Sequence, residues 1–187
     1  MFENNPYRNF YPQDNCCAEN NHARRYNTAL SHFKSTLFKG EIFRMTSGLL
    51  RRRQWLYDLA SIKLCKTQRN TFYAGIKVVD INRIIGTEGR MTDFDIGFHP
   101  VNEKSRQRWV NMALAYLVRL PLPPVELTQI GDAYFVRDGH HRISVARSFG
   151  QLVVDAEVVI IDAAPPFPWQ KGYGFQPVQV TNARLSQ

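Results

Sequence analysis

Apolar residues recur along the chain in two rhythms, and the change from one to the other divides it. Between residues 22 and 60 the spacing is helical. Ala29, Phe33 and Leu37 fall at i, i+4 and i+8, with Arg24, Arg25 and Lys34 on the remaining surface. Past Gly40, residues 41–60 carry Leu49, Leu50, Leu56 and Leu59 around the run Arg51-Arg52-Arg53, and 61–75 read as an exposed connector. Near Gly75 the rhythm changes. Ile76 to Ile81 is a short apolar run, followed by the glycine-punctuated stretch IIGTEGR, which predicts a strand, a turn and a loop.

The sequence TDFDIGFHPVNEKSRQ predicts irregular structure. Over 103–119 the helical period returns as a stripe of Trp109, Met112, Ala113, Tyr116 and Leu117, which LPLPP terminates because proline cannot continue a helix. Val125 and Leu127 alternate with Glu126 and Thr128. A Gly131-Asp132 turn and the run from Ala133 to Val136 complete a β-hairpin pattern. Asp138-Gly139 leads into a helix over 140–149 that buries Ile143, Ala146 and Phe149 and stops at Gly150. A last strand occupies 152–161. Strands and helices intermixed in this way predict an α+β fold.

Four parts follow: a polar, Asn-rich arm over 1–21, a basic helical extension over 22–74, an α+β domain over 75–162, and a Pro/Gly-rich tail over 163–187. Charge sharpens the division. The formal net charge is +8, and residues 1–76 hold 12 Lys/Arg against 5 Asp/Glu. The remaining residues are nearly balanced, so the excess belongs to the extension. Arg24, Arg25, Arg51, Arg52 and Arg53, interleaved with Phe33, Phe38, Trp55 and Tyr57, make nucleic acid a candidate partner through phosphate neutralisation. The bland alternative is a solvated helical face whose aromatics are core. No helix-turn-helix, zinc-finger or RNP pattern accompanies the basic residues.

Other classes are not expected. No run approaches the roughly 20 apolar residues of a membrane span. The first residues lack the basic stretch and apolar core of a secretory signal. Cys16, Cys17 and Cys65 form neither a disulfide framework nor a metal-ligand pattern, which fits a reducing cytoplasm.

The densest chemistry lies in DGHHR, residues 138–142. A strand, a glycine turn and a helix start bring unsatisfied backbone N–H groups and the positive end of a helix dipole to one point. Arg142 adds a fork of donors suited to phosphate oxygens, and His140 and His141 add further donors. Asp138 is placed to cap the helix, and Gly139 lets a ligand come close to the backbone. The set favours an anion, foremost a phosphate. Adjacent histidines point about 100° apart on a helix, unlike the i, i+4 pair of a zinc site, so no metal is expected.

DGHHRISVARSFG resembles the second conserved box of the ParB/sulfiredoxin superfamily, a Gly-x-[His/Arg]-Arg turn entering a helix. VVDINRIIGTEGR resembles the first box, a short strand and loop ending in arginine. Together with the intervening hairpin the resemblance covers about residues 76–162, in the form seen in uncharacterised bacterial ParB-like (ParB-like nuclease) domain proteins. It implies a small mixed sheet with packed helices. It also implies that Asp138, Gly139, His140, His141 and Arg142 bind the phosphates of a nucleotide (ATP, ADP or CTP, with Mg²⁺), with Arg90 approaching from across the site. His140 stands where sulfiredoxins carry their reactive cysteine, so their redox chemistry is not expected. About 25 residues follow the last strand, too few for the DNA-reading helices of partitioning proteins.

Two alternatives stand beside nucleotide binding. A serine-phosphorylating branch of the superfamily carries a carboxylate in its first box, near where this chain has Glu88. That alternative is a small-molecule phosphotransferase or nucleotide hydrolase with Glu88 as base or metal orienter. Asp93 and Asp95 are second candidates, more in keeping with surface or capping roles. The other alternative is a structural or nucleic-acid interaction protein whose phosphate site is vestigial. Homo-oligomers are compatible with all three.

Overall fold

The stripe at 29, 33 and 37 becomes part of one helix that starts before the expected residue 22 and ends at Leu49, so the helical spacing expected to continue to 60 gives way to a turn and a short strand at Tyr57–Asp58. In the computed structural model, which describes residues 16–62, 70–163 and 167–170, helix α1 runs unbroken from Cys16 to Leu49. It therefore includes part of the expected arm and passes through Gly40. Gly40 belongs there because a Cβ at that position would lie 2.6 Å from the His99 Cβ, so only glycine lets the helix approach the 94–99 loop. Residues 1–15, the 63–69 part of the connector, and 164–166 and 171–187 of the expected tail lie outside the described residues.

The remaining elements are β1 (Tyr57–Asp58), β2 (Thr71–Asp80), β3 (Ile84–Thr87), α2 (Arg106–Leu117), β4 (Val125–Ile130), β5 (Ala133–Asp138), α3 (His140–Ser148) and β6 (Val153–Ile161). Single 3₁₀ turns precede β3, at Ile81–Arg83, and α2, at Glu103–Ser105. The six strands form one mixed sheet in the order β1-β3-β5-β4-β6-β2. β3 runs parallel to β5, β4 and β5 make the antiparallel hairpin, β4 runs parallel to β6, and β2 closes the far edge antiparallel to β6. The protein is thus α+β, with three helices and a mixed sheet among the described residues. Among those residues no helix is long and apolar enough to cross a membrane.

The boundary expected at residue 75 falls inside β2, whose first residues already pair with β6. Nor does α1 stand apart. Ala29 and Phe33 pack with Trp109, Val110 and Ala113 of α2 and Val145 of α3 in one buried cluster. The Trp109 indole N–H donates to the Ser144 hydroxyl at 2.8 Å, which satisfies a polar group inside that layer. A second cluster joins the sheet to α3 through Ile84, Leu127, Val136, Ile143, Ala156 and Val158. A third covers the other face, where Phe135, Tyr57 and Ile130 meet Phe167 and Trp169. Trp169, which the sequence pattern places in a tail, therefore packs against the core while staying half-exposed.

Candidate functional site

β5 ends at Asp138, and the chain turns on Gly139 with φ of 99°. Residues with a Cβ avoid that left-handed region, and a Cβ here would also lie 2.6 Å from a Val125 methyl. Gly139, not Asp138, is the N-cap of α3, and no side chain caps the helix. This corrects the capping role expected for Asp138. The first-turn amides of α3 are left to other partners.

Arg142 also differs from expectation. Its Nη1 donates to the carbonyls of Pro123 and Pro124 at 2.5 and 2.6 Å, and its Nη2 pairs with Asp138 at 2.5 Å. The guanidinium is largely buried and braces the proline loop before β4 against the first turn of α3. Its charge is balanced within the turn, and its donors hold the proline loop to the start of α3.

The two sequence boxes meet at Thr87. This fully buried residue ends β3, and its Oγ1 lies 2.7 Å from His140 Nε2. The same oxygen accepts the Arg90 backbone N–H at 3.1 Å. The loop carrying Glu88 and Arg90 is thereby tied to the mouth of α3. Phe94 packs against both histidines, stacked on His140 at 6.0 Å and edge-on to His141 at 5.1 Å. Both imidazoles have pKa values lowered from the ordinary 6.5 to about 4, chiefly by burial, and then by the Arg90 charge. Arg108 adds to the effect on His141, while Asp93 and Asp138 oppose it at both. At neutral pH both rings are uncharged and offer a directed N–H or a lone pair. His141 Nδ1 is buried without a hydrogen-bond partner among the described residues.

Arg90 is exposed and makes one long ion pair, 3.5 Å, with Asp93. Glu88, also exposed, accepts a very short hydrogen bond from the Thr128 hydroxyl of β4. Asp95 has left the surface altogether. Its carboxylate is fully buried, and Oδ1 accepts the N–H groups of Gly97 and His99 at 2.8 and 3.0 Å. The same carboxylate contacts the His99 ring at 3.0 Å and the Arg44 guanidinium at 3.3 Å. Asp95 therefore sets the 94–99 loop and with it Phe94. No group of three or more His, Cys, Asp or Glu among the described residues is placed to hold a metal ion.

The basic candidates do not form one face. Arg24 and Arg25 are exposed near the start of α1, roughly 36 Å of helix from its end at 1.5 Å per residue. Arg51, Arg52 and Arg53 follow that end and line a cleft of about 1020 Å³. Thr87, the residue that joins the two boxes, escapes sequence reasoning because a threonine ending a strand carries no distinguishing signal. Comparison with protein-family models, curated proteins and solved structures finds no match.

Proposed function

We propose that the mouth of α3 binds the phosphate groups of a nucleotide, as the ParB/sulfiredoxin-like boxes imply. The observation that carries this reading is the convergence on Thr87. It ties the loop bearing Arg90 to a helix start with uncapped amides and a buried, unpartnered His141 nitrogen. Uncapped amides and a neutral imidazole N–H are directional donors to phosphate oxygens, and Arg90 supplies the charge. Arg142 and Asp138 hold the turn in shape.

Calorimetry with ATP, ADP and CTP, each with and without Mg²⁺, tests the reading. At least one should bind, and Arg90→Ala should weaken that binding by about 1.5–3 kcal/mol, the range for hydrogen bonds to charged groups. If none binds, the site is vestigial. Phosphotransfer or nucleotide hydrolysis is the second reading. It rests on Glu88, which directly follows Thr87 and is held by Thr128. Glu88→Gln should then abolish turnover while nucleotide binding persists, and full turnover in that variant removes Glu88 from the chemistry.

A further inference from the structure

A second concave site lies at the other end of α3. Its walls come from the end of α1, the turn that follows it, the 3₁₀ turn before β3 and the last turns of α3. Six cations line it: Lys39, Arg51, Arg52, Arg53, Arg83 and Arg147. None of the six is in an ion pair among the described residues. Among the described residues a single carboxylate, Asp132, lines the same space, and the Trp169 indole N–H occupies one of its oxygens at 3.1 Å. Unpaired like charges gathered around a concavity raise the local potential and concentrate anions there.

The arginine run is held in place at a conformational cost. α1 ends in a Schellman arrangement, with the Arg52 N–H donating to the Ser47 carbonyl at 2.8 Å and the Arg51 N–H to the Gly48 carbonyl at 3.2 Å. Such an ending needs a left-handed residue, ordinarily glycine. Here it is Arg51, with φ of 51°. Arg53 lies over the Tyr57 ring, 3.7 Å from its centroid. At the floor, the largely buried Arg147 donates to the Ile96 carbonyl at 3.3 Å and to Asn82 Oδ1 at 3.1 Å. Neither acceptor is charged; burial disfavours the Arg147 charge, and the Asp95 and Asp80 carboxylates, which do not line the cleft, partly offset this without pairing with it.

We propose that this cleft is a binding site for single-stranded nucleic acid. Five of the six cations are arginines, whose planar forks match phosphate oxygens and also stack on bases. They run from a buried floor to exposed rim positions, so an extended chain carrying a charge on every unit meets more of them than one small anion can. Phe43 and Trp169 line the same walls and offer apolar surface to bases. Stacking on the aromatic walls needs unpaired bases, which a single strand offers and a duplex does not. The cleft uses Ser144, Arg147 and Ser148 of α3 rather than His140 to Arg142, so the inference stands apart from nucleotide binding at the mouth.

Fluorescence anisotropy with a labelled oligothymidylate of about 15 nucleotides tests it, with salt varied and with unlabelled duplex DNA and poly-glutamate as competitors. The chain should bind the oligonucleotide, and Arg51→Ala/Arg52→Ala/Arg53→Ala should weaken binding about tenfold or more. The slope of log affinity against log salt should become shallower by roughly 0.7 for each phosphate that the variant no longer neutralises. Arg51→Gly removes one cation while relieving the left-handed strain, so it should melt no lower than the parent and still bind more weakly. Lys104→Ala, an exposed cation outside the cleft, is the control and should bind as the parent does. The inference is overturned by no oligonucleotide binding at low salt, by unchanged affinity in the triple variant, or by duplex or poly-glutamate competing as well as the single strand.

Discussion

The two ends of α3 handle charge in opposite ways. At the N-terminal mouth most of the charge has an acidic neighbour: Arg142 sits against Asp138 and the exposed Arg90 reaches Asp93 at 3.5 Å, Arg108 acts on His141 from nearby, and the histidines are neutral. At the C-terminal end Arg147 joins five other cations that no carboxylate pairs among the described residues. A matched site discriminates by direction, through amides and ring nitrogens placed where oxygens must sit. An unmatched site attracts by field, which reaches further and is screened by salt. One short helix therefore carries two differently charged surroundings at its ends, and the 94–99 loop touches both. Phe94 packs on the histidines, and the Ile96 carbonyl accepts from Arg147.

The largest expected effect comes from the residue that supports both ends. Asp95→Ala leaves Arg44 without its buried partner and releases the N–H groups of Gly97 and His99. Breaking a buried pair costs about 3–5 kcal/mol. Thermal denaturation should show a fall of about 6 °C or more at 2–4 °C per kcal/mol for a chain of this size. A change of a degree or two would mean that the ends do not share that support.

Acidification separates the ends next. His140 and His141 bind protons less readily folded, with pKa about 4, than unfolded, near 6.5. Their contribution is fully present above pH 6.5 and is lost as pH falls toward 4, because the unfolded chain takes up protons first. Each histidine adds at most about 1.4 kcal/mol per pH unit in that window. Allowing for partial exposure, about 2 kcal/mol should be gone by pH 5. Urea denaturation across pH 4–7 reads this directly, and His141→Gln should flatten the slope. A slope unchanged by that substitution would remove His141 from the effect.

Arg142→Ala should cost about 1–2 kcal/mol of stability through the loss of its carbonyl bonds and should loosen the mouth. It should leave oligonucleotide binding at the other end within about twofold. The smallest effect is a gain. Arg51→Gly should add up to about 1 kcal/mol, because glycine accepts the left-handed backbone that arginine resists. A loss of stability there would mean that Arg51 makes contacts that outweigh its strain.

Much of the mouth is legible in the sequence because it is local. Strand, glycine turn and helix are contiguous in YFVRDGHHRISV, and their periods identify each element. What escapes depends on distant partners. The Arg142 fork reads as a phosphate ligand because nothing in the sequence tells that the Pro123 and Pro124 carbonyls lie within its reach. Gly40 carries no signal of its own in the helical spacing. It is a point of close approach, needed by His99, which lies far along the chain. β1 is two residues long and pairs only with β3 among the described residues, so no periodicity could announce it. The cleft gathers Lys39, Arg83 and Arg147 around the visible run at 51–53, from three separate stretches of sequence. Charge counting along the basic N-terminal part reaches the run and Lys39 but not Arg83 and Arg147, and it groups the run with Arg24 and Arg25, which the length of α1 keeps apart.

Nitrogen NMR of the histidine rings during titration with the best-binding nucleotide tests the central claim most directly. If phosphate oxygens occupy the mouth of α3, His141 Nδ1 gains its missing partner, and its resonance should move in proportion to site occupancy while His99 stays still. Saturation by the nucleotide with His140 and His141 both unmoved would place the phosphates elsewhere and contradict the account.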